Sequence, residues 1–301
     1  MTTEDTHISR LLPETREVLN ANAAERIEYL KTDKWIPYPR ANQILGKLED
    51  LFNEPVQLRV SSLLIVGDSN NGKSSVVKKF ERDHPKTDGM DCAAYPVMYV
   101  QAPPVPDERR FYDEIFSTLM VPFRHRDDPS QKIDMIDYYF NKLGTRMLIV
   151  DEIHNVLCGS VPKQRAFMNA LKNLGNRMKM PLVLVGTKEA LAATNTDTQI
   201  SSRFRPMGLP LWKLDADFAR LLASIETILP LHRPSMLATP EVATAVFELS
   251  EGNIGEIFAL VNDAAMVAVD SGSEQLTIKE IKACGFVAPS KRRMAAELEL
   301  A

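Results

Sequence analysis

Cysteine is scarce in this sequence of 301 residues, and long apolar runs are absent from it. The three cysteines, Cys92, Cys158 and Cys284, are too widely spaced for a metal-binding pattern, and they fit a reducing cytoplasm. No apolar run approaches the length of a membrane span, so we expect no contact with a membrane. The first residues are polar and acidic, which is not the pattern of a secretory signal. These features predict a cytoplasmic protein.

The sequence also lacks an excess of positive charge. Its 36 Lys and Arg residues face 40 Asp and Glu residues, for a formal net charge of −4. Bulk charge therefore gives no support to nucleic-acid binding, and any DNA contact needs local basic stripes. The hydrophobic content of 45% and the charged content of 25% are typical of a globular protein. The length suffices for one large α/β domain and a smaller second domain.

One stretch matches the phosphate-loop pattern G-x-x-x-x-G-K-[ST] at every fixed position. An apolar run at 62–66 precedes it and a helical pattern at 75–80 follows it, which is the setting that the motif requires. The free N–H groups and the dipole at the start of that helix favour a bound phosphate. Lys73 can then reach the β- and γ-phosphates, and Ser74 can bind Mg²⁺. The alternative is a chance glycine turn before a helix. The candidate nucleotide-binding residues are Gly67, Asp68, Ser69, Asn70, Asn71, Gly72, Lys73, Ser74 and Ser75.

A second motif is the apolar run 147–150, which leads into Asp151 and Glu152. The pattern predicts a buried parallel strand whose end carries charge. Ligands of open α/β sheets bind beyond the carboxyl ends of the strands, so we expect Asp151 beside the phosphate loop. There it can hold Mg²⁺, and Glu152 can polarise the attacking water. Together the two motifs predict the hydrolysis of ATP or GTP.

Two later segments add candidate catalytic residues. Thr187 ends the apolar strand 181–187, where it fits a hydrogen bond to the γ-phosphate or to the water, and equally the N-cap of a helix at 188–193. Arg203 and Arg205 flank a phenylalanine at the end of a helical segment. One of them fits a role at a neighbouring subunit's γ-phosphate, and an internal salt bridge explains the pair equally well.

The domain organisation predicted from these patterns has four parts. They are an N-terminal arm with a nucleotide-flanking segment (1–40), an α/β ATPase domain (41–212), a helical lid (213–286) and a flexible tail (287–301). Two prolines make residues 35–40 an extended aromatic segment, which fits either closure over an adenine ring or a linker packed on the core. The predicted fold class is α/β: a P-loop NTPase with a central parallel sheet flanked by helices and followed by a small helical lid.

The order of these motifs resembles that of the AAA+ ATPases between residues 40 and 285. Within that class the chain is similar to the TniB/TnsC-type transposition ATPases. The residues that carry the resemblance are Trp35–Arg40, Gly67–Ser74, Leu148–His154, Val185–Thr187, Ser202–Arg205 and Ser250–Gly255.

The resemblance implies a bacterial ATPase with ATP and Mg²⁺ as cofactors that acts in the DNA recombination of a transposable element. Its subunits would associate into a ring or a helical filament on double-stranded target DNA and recruit a transposase. Residues 252–256 offer no arginine where many AAA+ proteins have a second sensor, so we expect slow hydrolysis. The roles implied are phosphate and Mg²⁺ binding by Lys73 and Ser74, the Walker-B pair Asp151 and Glu152, the first sensor Thr187, and a finger acting in trans at Arg203 or Arg205.

DNA contact is implied by the resemblance, and two sets of basic residues are candidates for it. One set follows the second strand, and the other recurs every seven residues along the helix 161–179, opposite its apolar face. An ordinary solvated face explains the helical set and is favoured there, because exposed Lys and Arg are usual. The candidates are Arg109, Arg110, Arg124 and Arg126, and the stripe Arg165, Lys172 and Lys179.

Three other functions are consistent with a phosphate loop. A replication initiator or loader of the AAA+ class would use the same hydrolysis chemistry. A small-molecule kinase is disfavoured by the Asp-Glu pair and the trailing helices, since it would need a second substrate pocket. A nucleotide-gated scaffold with negligible turnover is disfavoured by Glu152.

Overall fold

The computed structural model describes residues 3–55, 60–88, 93–191 and 203–299. The chain divides into two compact units. The sheet unit is Pro39–Pro210, and the helical unit combines Met1–Tyr38 with Leu211–Ala301. The four-part division predicted from the sequence, with boundaries at 40, 212 and 286, stays a prediction.

The secondary-structure elements of the described residues are numbered in chain order. The helices are α1 (Thr3–Arg10), α2 (Pro13–Leu19), α3 (Ala23–Lys31), α4 (Pro39–Asn53), α5 (Lys73–Asp83), α6 (Glu108–Leu119), α7 (Pro129–Lys142), α8 (Val161–Met178), α9 (Ala216–Glu226), α10 (Pro240–Ser250), α11 (Ile254–Asp270), α12 (Ile278–Ala283) and α13 (Arg292–Glu299). The strands are β1 (Ser62–Gly67), β2 (Thr87–Asp88), β3 (Ala93–Ala94), β4 (Val97–Gln101), β5 (Met147–Asp151), β6 (Leu182–Gly186) and β7 (Phe204–Leu209). Short 3₁₀ turns cover Ile153–Cys158 and Pro289–Lys291.

A parallel sheet forms the centre of the sheet unit. Within the described ranges its five strands have the order β4-β5-β6-β1-β7, and every neighbouring pair is parallel. The register opposes Val66 to Gly186 and Gln101 to Asp151, so the ends of these strands lie along one edge of the sheet. The architecture confirms the predicted fold class, a parallel sheet flanked by helices.

The sequence explains the three inner strands and misses one edge strand. Every residue of β1, β5 and β6 is buried, because helices cover both faces of a parallel sheet and select continuous apolar runs. The strand β7 was predicted instead as the end of a helical segment. It contains Pro206 and Gly208, which are unfavourable inside a sheet. An edge position tolerates the proline because one side of the strand needs no ladder hydrogen bond.

The described N-terminal residues of the predicted arm are largely helical. Residues 3–31 form α1, α2 and α3, and their apolar side chains Leu11, Leu19 and Leu30 are buried. Helices α1 and α2 are short and bury few residues, so residues 3–19 show only a weak helical period in the sequence. The three helices belong to the same compact unit as the C-terminal helices, and α3 packs on α11.

A buried ion pair ties α3 to the C-terminal part of the helical unit. Arg26 is 5% exposed, and its Nη1 donates to Glu274 Oε1 at 2.8 Å. Its Nε donates to the carbonyl of Pro230 at 2.9 Å. His232 Nδ1 lies 2.9 Å from Glu274 Oε2. Burial acts to raise the pKa of Glu274, but hydrogen bonds from Arg26 and His232 outweigh it and hold that pKa at about 2.

The remaining helices follow the sequence pattern closely. Thr277 and Glu280 form the predicted capping box: Lys279 N donates to Thr277 Oγ1 at 3.2 Å, and Thr277 N donates to Glu280 Oε2 at 2.9 Å. The predicted tail (287–301) contains α13, and Arg292 Nη1 of that helix donates to Glu256 Oε1 on α11 at 3.2 Å. The flexibility of the tail stays a prediction.

No single helix in the described ranges is long and apolar enough to span a membrane. The helices α10 and α11 pass that test only as a pair, with a bend of 118° between them. Cys158 and Cys284 are free thiols, and Cys92 lies outside the described residues.

Candidate nucleotide-binding site

The phosphate loop joins the end of β1 to the start of α5, and each fixed glycine has a structural reason. Gly72 has φ +79°, in the left-handed region that glycine adopts without steric cost. At Gly67, an added Cβ would lie 2.6 Å from the carbonyl oxygen of Leu209 on the neighbouring strand β7. Ser69 and Asn70 are exposed at the tip of the loop, and Ser75 is exposed in the first turn of α5.

Asn71 fastens this loop to β7. Its side chain is 1% exposed. Its Nδ2 donates to Leu209 O at 2.9 Å and to Pro210 O at 3.1 Å. The loop is therefore held against β7 by a side chain at a position that the motif leaves variable.

Lys73 is the first residue of α5, and its side chain is buried against the phosphate loop. Its Nζ donates to the carbonyl of Asp68 at 2.6 Å. Burial lowers the pKa of Lys73 and outweighs the opposing effect of nearby carboxylates, of which Asp151 is the strongest and Glu152 the next. A cation that faces these carboxylates beside a helix N-terminus is suited to an anionic ligand. Lys188 Nζ lies 2.8 Å from Asp68 Oδ2 and adds a second cation at the loop.

Asp151 is the point where the two sequence motifs meet. It is 1% exposed, and its Oδ2 accepts hydrogen bonds from Ser74 Oγ at 2.6 Å and from Tyr99 OH at 2.8 Å. Its Oδ1 accepts from the backbone N–H of Glu152 at 2.8 Å. Ser74 and Asp151 therefore lie in contact, as we expect from the sequence. Tyr99, which the sequence does not predict, donates to the same carboxylate oxygen.

These groups fit Mg²⁺ bound together with a nucleotide. In the described ranges, no three His, Cys, Asp or Glu side chains are arranged to hold a metal ion by themselves. Mg²⁺ commonly takes one or two carboxylates and completes its octahedron with substrate phosphates and water. The Ser74 hydroxyl and the Asp151 carboxylate, 2.6 Å apart at the phosphate loop, supply that smaller set.

Glu152 adopts an unusual backbone conformation next to Asp151. Its φ is +57°, a region that residues other than glycine seldom occupy. Its side chain is 44% exposed, and its Oε2 lies 3.2 Å from His154 Nε2. At this left-handed turn Asp151 is buried, whereas the Glu152 side chain reaches solvent.

Thr187 follows the end of β6, and its hydroxyl is engaged locally. A hydrogen bond from Thr187 lowers the pKa of Glu189. Glu189 is also among the carboxylates that raise the pKa of Lys73, which places it near the phosphate loop. The predicted helix at 188–193 is described only as far as residue 191.

The two arginines of the predicted finger occupy different environments. Arg203 is buried, and its guanidinium donates to Lys172 O at 3.2 Å and to the side-chain oxygen of Asn176 on α8. Arg205 is exposed on the edge strand β7. Its register partner is Leu63, near the amino end of β1, whereas the phosphate loop begins at the carboxyl end. The structure therefore separates Arg205 from the phosphate loop of its own chain, and it gives Arg203 partners within the same chain.

The basic residues after β4 are exposed, and a buried ion pair holds their loop. We call Arg124, His125 and Arg126 the basic loop; all three are exposed. Lys132 is fully buried, pairs with Asp113 on α6, and donates from Nζ to the carbonyl of His125 at 3.1 Å. Lys132, which is not among the candidates predicted from the sequence, therefore holds the backbone of the basic loop in place.

The other predicted DNA contacts are distributed around this region. Arg109 and Arg110 are exposed at the start of α6, and Arg109 is close enough to contribute to a lowered pKa of Asp128, which follows the basic loop. That pKa is lowered first by hydrogen bonds from Ser130. On α8, Arg165 is exposed and Lys179 is exposed at the C-cap, whereas Lys172 is half-buried. The stripe is therefore not uniformly open to solvent.

Three residues of these sites are not among the candidates predicted from the sequence: Tyr99, Lys132 and Glu189. Asn71 is a predicted nucleotide-binding residue because it lies inside the motif, but its contact with β7, 138 positions away, is not predicted. Tyr99 was visible only as part of an apolar strand. The sequence signal for Tyr99 is its hydroxyl near the carboxyl end of a strand, because ligands of α/β sheets bind at that edge.

Sheet order, phosphate loop and the acidic strand end together define a P-loop protein of the AAA+ fold. The family model described as bacterial TniB protein matches residues 26–214, more than half of the chain. The protein belongs to the TniB family. None of the curated proteins matches the chain.

Solved structures with the same fold include ORC and Cdc6 proteins. The ORC2 protein of Aeropyrum pernix, in ADPNP-ADP complexes, is 14% identical with a TM-score of 0.61, covering 85% of this chain and 70% of that one. Cdc6p from Pyrobaculum aerophilum is 14% identical with a TM-score of 0.62, covering 86% and 71%. The A. pernix ORC1 protein, in complex with DNA, is 14% identical with a TM-score of 0.60, covering 86% and 68%. At this identity the likeness concerns the fold.

Proposed function

We propose that this protein is a cytoplasmic ATPase that assembles on double-stranded DNA and, in its ATP-bound form, recruits a transposase. The observation that carries the proposal is the junction of Ser74 and Asp151, 2.6 Å apart at the phosphate loop, with Glu152 beside it. The TniB family match supports the link to transposition. The DNA and nucleotide complexes of the ORC proteins support, by analogy of fold, a partnership of nucleotide and DNA.

The residues divide the chemistry among them. Lys73 exchanges the Asp68 carbonyl for the β- and γ-phosphates, and Ser74 and Asp151 hold Mg²⁺. When bound, Mg²⁺ neutralises charge that develops on the phosphates. Glu152 accepts a hydrogen bond from the attacking water and polarises it. Thr187 exchanges Glu189 for the γ-phosphate or the water.

A neighbouring subunit completes the site in this proposal. Arg205 is the better candidate for the finger, because it is exposed and lies away from the phosphate loop of its own chain. Arg203 is already engaged by α8. ATP then lies at the boundary between subunits of a ring or helical filament, and nucleotide state controls assembly.

The basic loop is the proposed DNA contact. Its arginines are exposed on an anchored backbone, which limits the conformational entropy lost on binding. Contacts of Arg124 and Arg126 with phosphates would be independent of DNA sequence and would weaken with salt.

The alternative function is that of an AAA+ replication initiator or loader. The fold that this chain shares with the ORC and Cdc6 proteins is consistent with it. ATP chemistry does not distinguish the two functions. The partner does: only the first requires that the DNA-bound, ATP-bound protein retain a transposase.

The test is binding to a labelled DNA duplex over a salt series, with ADP or with a non-hydrolysable ATP analogue. We expect tighter binding with the analogue and a linear fall of log K with log salt. Arg124→Ala should reduce the slope by about 1, as expected for one lost phosphate contact. The matched control is Arg220→Ala, since Arg220 is an exposed arginine paired with Asp217 in the helical unit. Binding that is absent or indifferent to nucleotide overturns the assembly proposal, and failure of the DNA complex to retain a transposase favours the alternative.

A further inference from the structure

Tyr99 reaches the acidic strand end from the neighbouring strand. It lies on β4 opposite Ile149 of β5, and Asp151 lies opposite Gln101. Tyr99 and Asp151 are therefore diagonal neighbours on adjacent strands, a separation that a long aromatic side chain can bridge. The tyrosine hydroxyl lies 2.8 Å from Asp151 Oδ2.

The Asp151 carboxylate has little freedom left. Ser74 and Tyr99 donate to Oδ2, and the Glu152 N–H donates to Oδ1. A carboxylate offers about four acceptor positions, so about one remains for a metal ion or a metal-bound water. Three donors from three different elements fix the plane of the carboxylate.

The tyrosine is suited to this role because a phenolic hydroxyl, with an ordinary pKa of about 10, is a hydrogen-bond donor at physiological pH. Since Tyr99 does not reach the phosphate loop itself among the contacts described, its hydroxyl acts on the site through Asp151.

We propose that Tyr99 is a positioning residue that holds the Asp151 carboxylate in the orientation needed to share Mg²⁺ with Ser74. The proposal rests on the ATP site proposed above. Residues that orient a metal ligand typically account for 10- to 100-fold in metal affinity. Neither the phosphate-loop motif nor the Asp-Glu motif includes this tyrosine.

The test compares Tyr99→Phe with Tyr95→Phe. Tyr95 is buried, precedes the same strand, and its hydroxyl donates to Glu81 Oε1 at 3.4 Å, so the control removes the same atom beside another carboxylate. Binding of a fluorescent ATP analogue is measured against MgCl₂ concentration and again in EDTA. We expect Tyr99→Phe to raise the Mg²⁺ concentration for half-saturation about 10- to 100-fold and to leave affinity in EDTA unchanged. Tyr95→Phe should change neither value.

Two results overturn the role of Tyr99. One is a Tyr99→Phe protein with the wild-type Mg²⁺ dependence, and the other is an equal loss of affinity with and without Mg²⁺, which indicates a general packing defect. Absence of nucleotide binding by the wild-type protein overturns the ATP site, and the proposal for Tyr99 with it. Thermal melting of each variant checks that the comparison is made on folded protein.

Discussion

The side-chain amide of Asn71 donates a hydrogen bond to the carbonyl of Leu209 at 2.9 Å. The same carbonyl blocks a Cβ at Gly67, so the strand β7 limits the phosphate loop at two positions. Neither restraint lies within one segment of sequence. The loop is therefore shaped by β7 as well as by its own glycines.

We expect Asn71→Ala to destabilise the protein by about 1–3 kcal/mol, because it leaves the buried Leu209 carbonyl without this donor. Urea denaturation measures the change. Asn53→Ala is the control, since Asn53 makes an exposed side-chain bond to Glu49 at the end of α4; its cost should stay within about 0.5 kcal/mol. Equal costs for the two variants would contradict a special role for Asn71.

Glu152→Gln should retain ATP binding and lose turnover by about 10²- to 10⁴-fold, because the amide is a poor acceptor for the proton of the attacking water. Lys73→Ala should instead lose binding, since it removes the buried cation of the phosphate loop. Steady-state phosphate release and fluorescent-nucleotide binding separate the two effects. Normal hydrolysis by Glu152→Gln would refute the role assigned to this residue.

We expect different effects from substituting Arg203, which directly precedes β7, and Arg205, which lies within β7. Arg203→Ala should destabilise the protein by about 1.5–3 kcal/mol, since it removes buried charged hydrogen bonds. Arg205→Ala should change stability by no more than about 0.5 kcal/mol and should lower ATP turnover.

A mixing experiment tests action across subunits. Arg205→Ala subunits keep their phosphate loop, and Lys73→Ala subunits keep Arg205. We expect the mixture to hydrolyse more ATP than the sum of the two variants measured separately. Turnover equal to the sum of the separate proteins would count against a finger in trans at Arg205.

Glu274→Gln should destabilise the helical unit by about 3–5 kcal/mol at pH 7, because it leaves the buried Arg26 without its carboxylate. Asp217→Asn, which breaks the exposed pair with Arg220, should cost about 0–1 kcal/mol. Both values follow from chemical denaturation at fixed pH.

The sign of the pH dependence follows from the lowered pKa of Glu274, about 2 in the folded protein against about 4.3 in the unfolded chain. Its stabilisation is fully present above the unfolded value and is lost as pH falls from about 4.3 through 2. The stability difference between wild type and Glu274→Gln should therefore shrink over that range. A difference that stays constant down to pH 3 would contradict the assignment.

The sequence predicts those parts of the molecule that local patterns determine. The strands β1, β5 and β6 are continuous apolar runs, and the phosphate loop and the Asp-Glu pair are local motifs at strand ends. Because parallel strands share a carboxyl edge, the meeting of Ser74 with Asp151 follows from topology before any coordinates are known.

Long-range contacts account for what the sequence does not predict. The partners of Asn71, Arg203 and Tyr99 lie on other strands or helices, and no spacing rule connects them. The strand β7 is not predicted from the sequence, because Pro206 and Gly208 are unusual inside strands. Helices α1 and α2 are not predicted, because they are short and their contacts lie far along the chain, as between His7 Nε2 and Leu231 O at 3.0 Å.

The sheet unit is a continuous insertion in a helical unit whose two parts are far apart in sequence, and this has a consequence for synthesis. Arg40 Nε donates to Gly208 O at 2.8 Å, so the chain enters and leaves the sheet unit side by side. Arg26 and Glu274 are separated by 248 positions. At about 5–20 residues per second, a ribosome needs roughly 12–50 s to pass from one to the other. During that interval the sheet unit can fold, whereas Arg26 of α3 still lacks its partner Glu274. A chaperone that binds exposed apolar helices would therefore act on the first 31 residues.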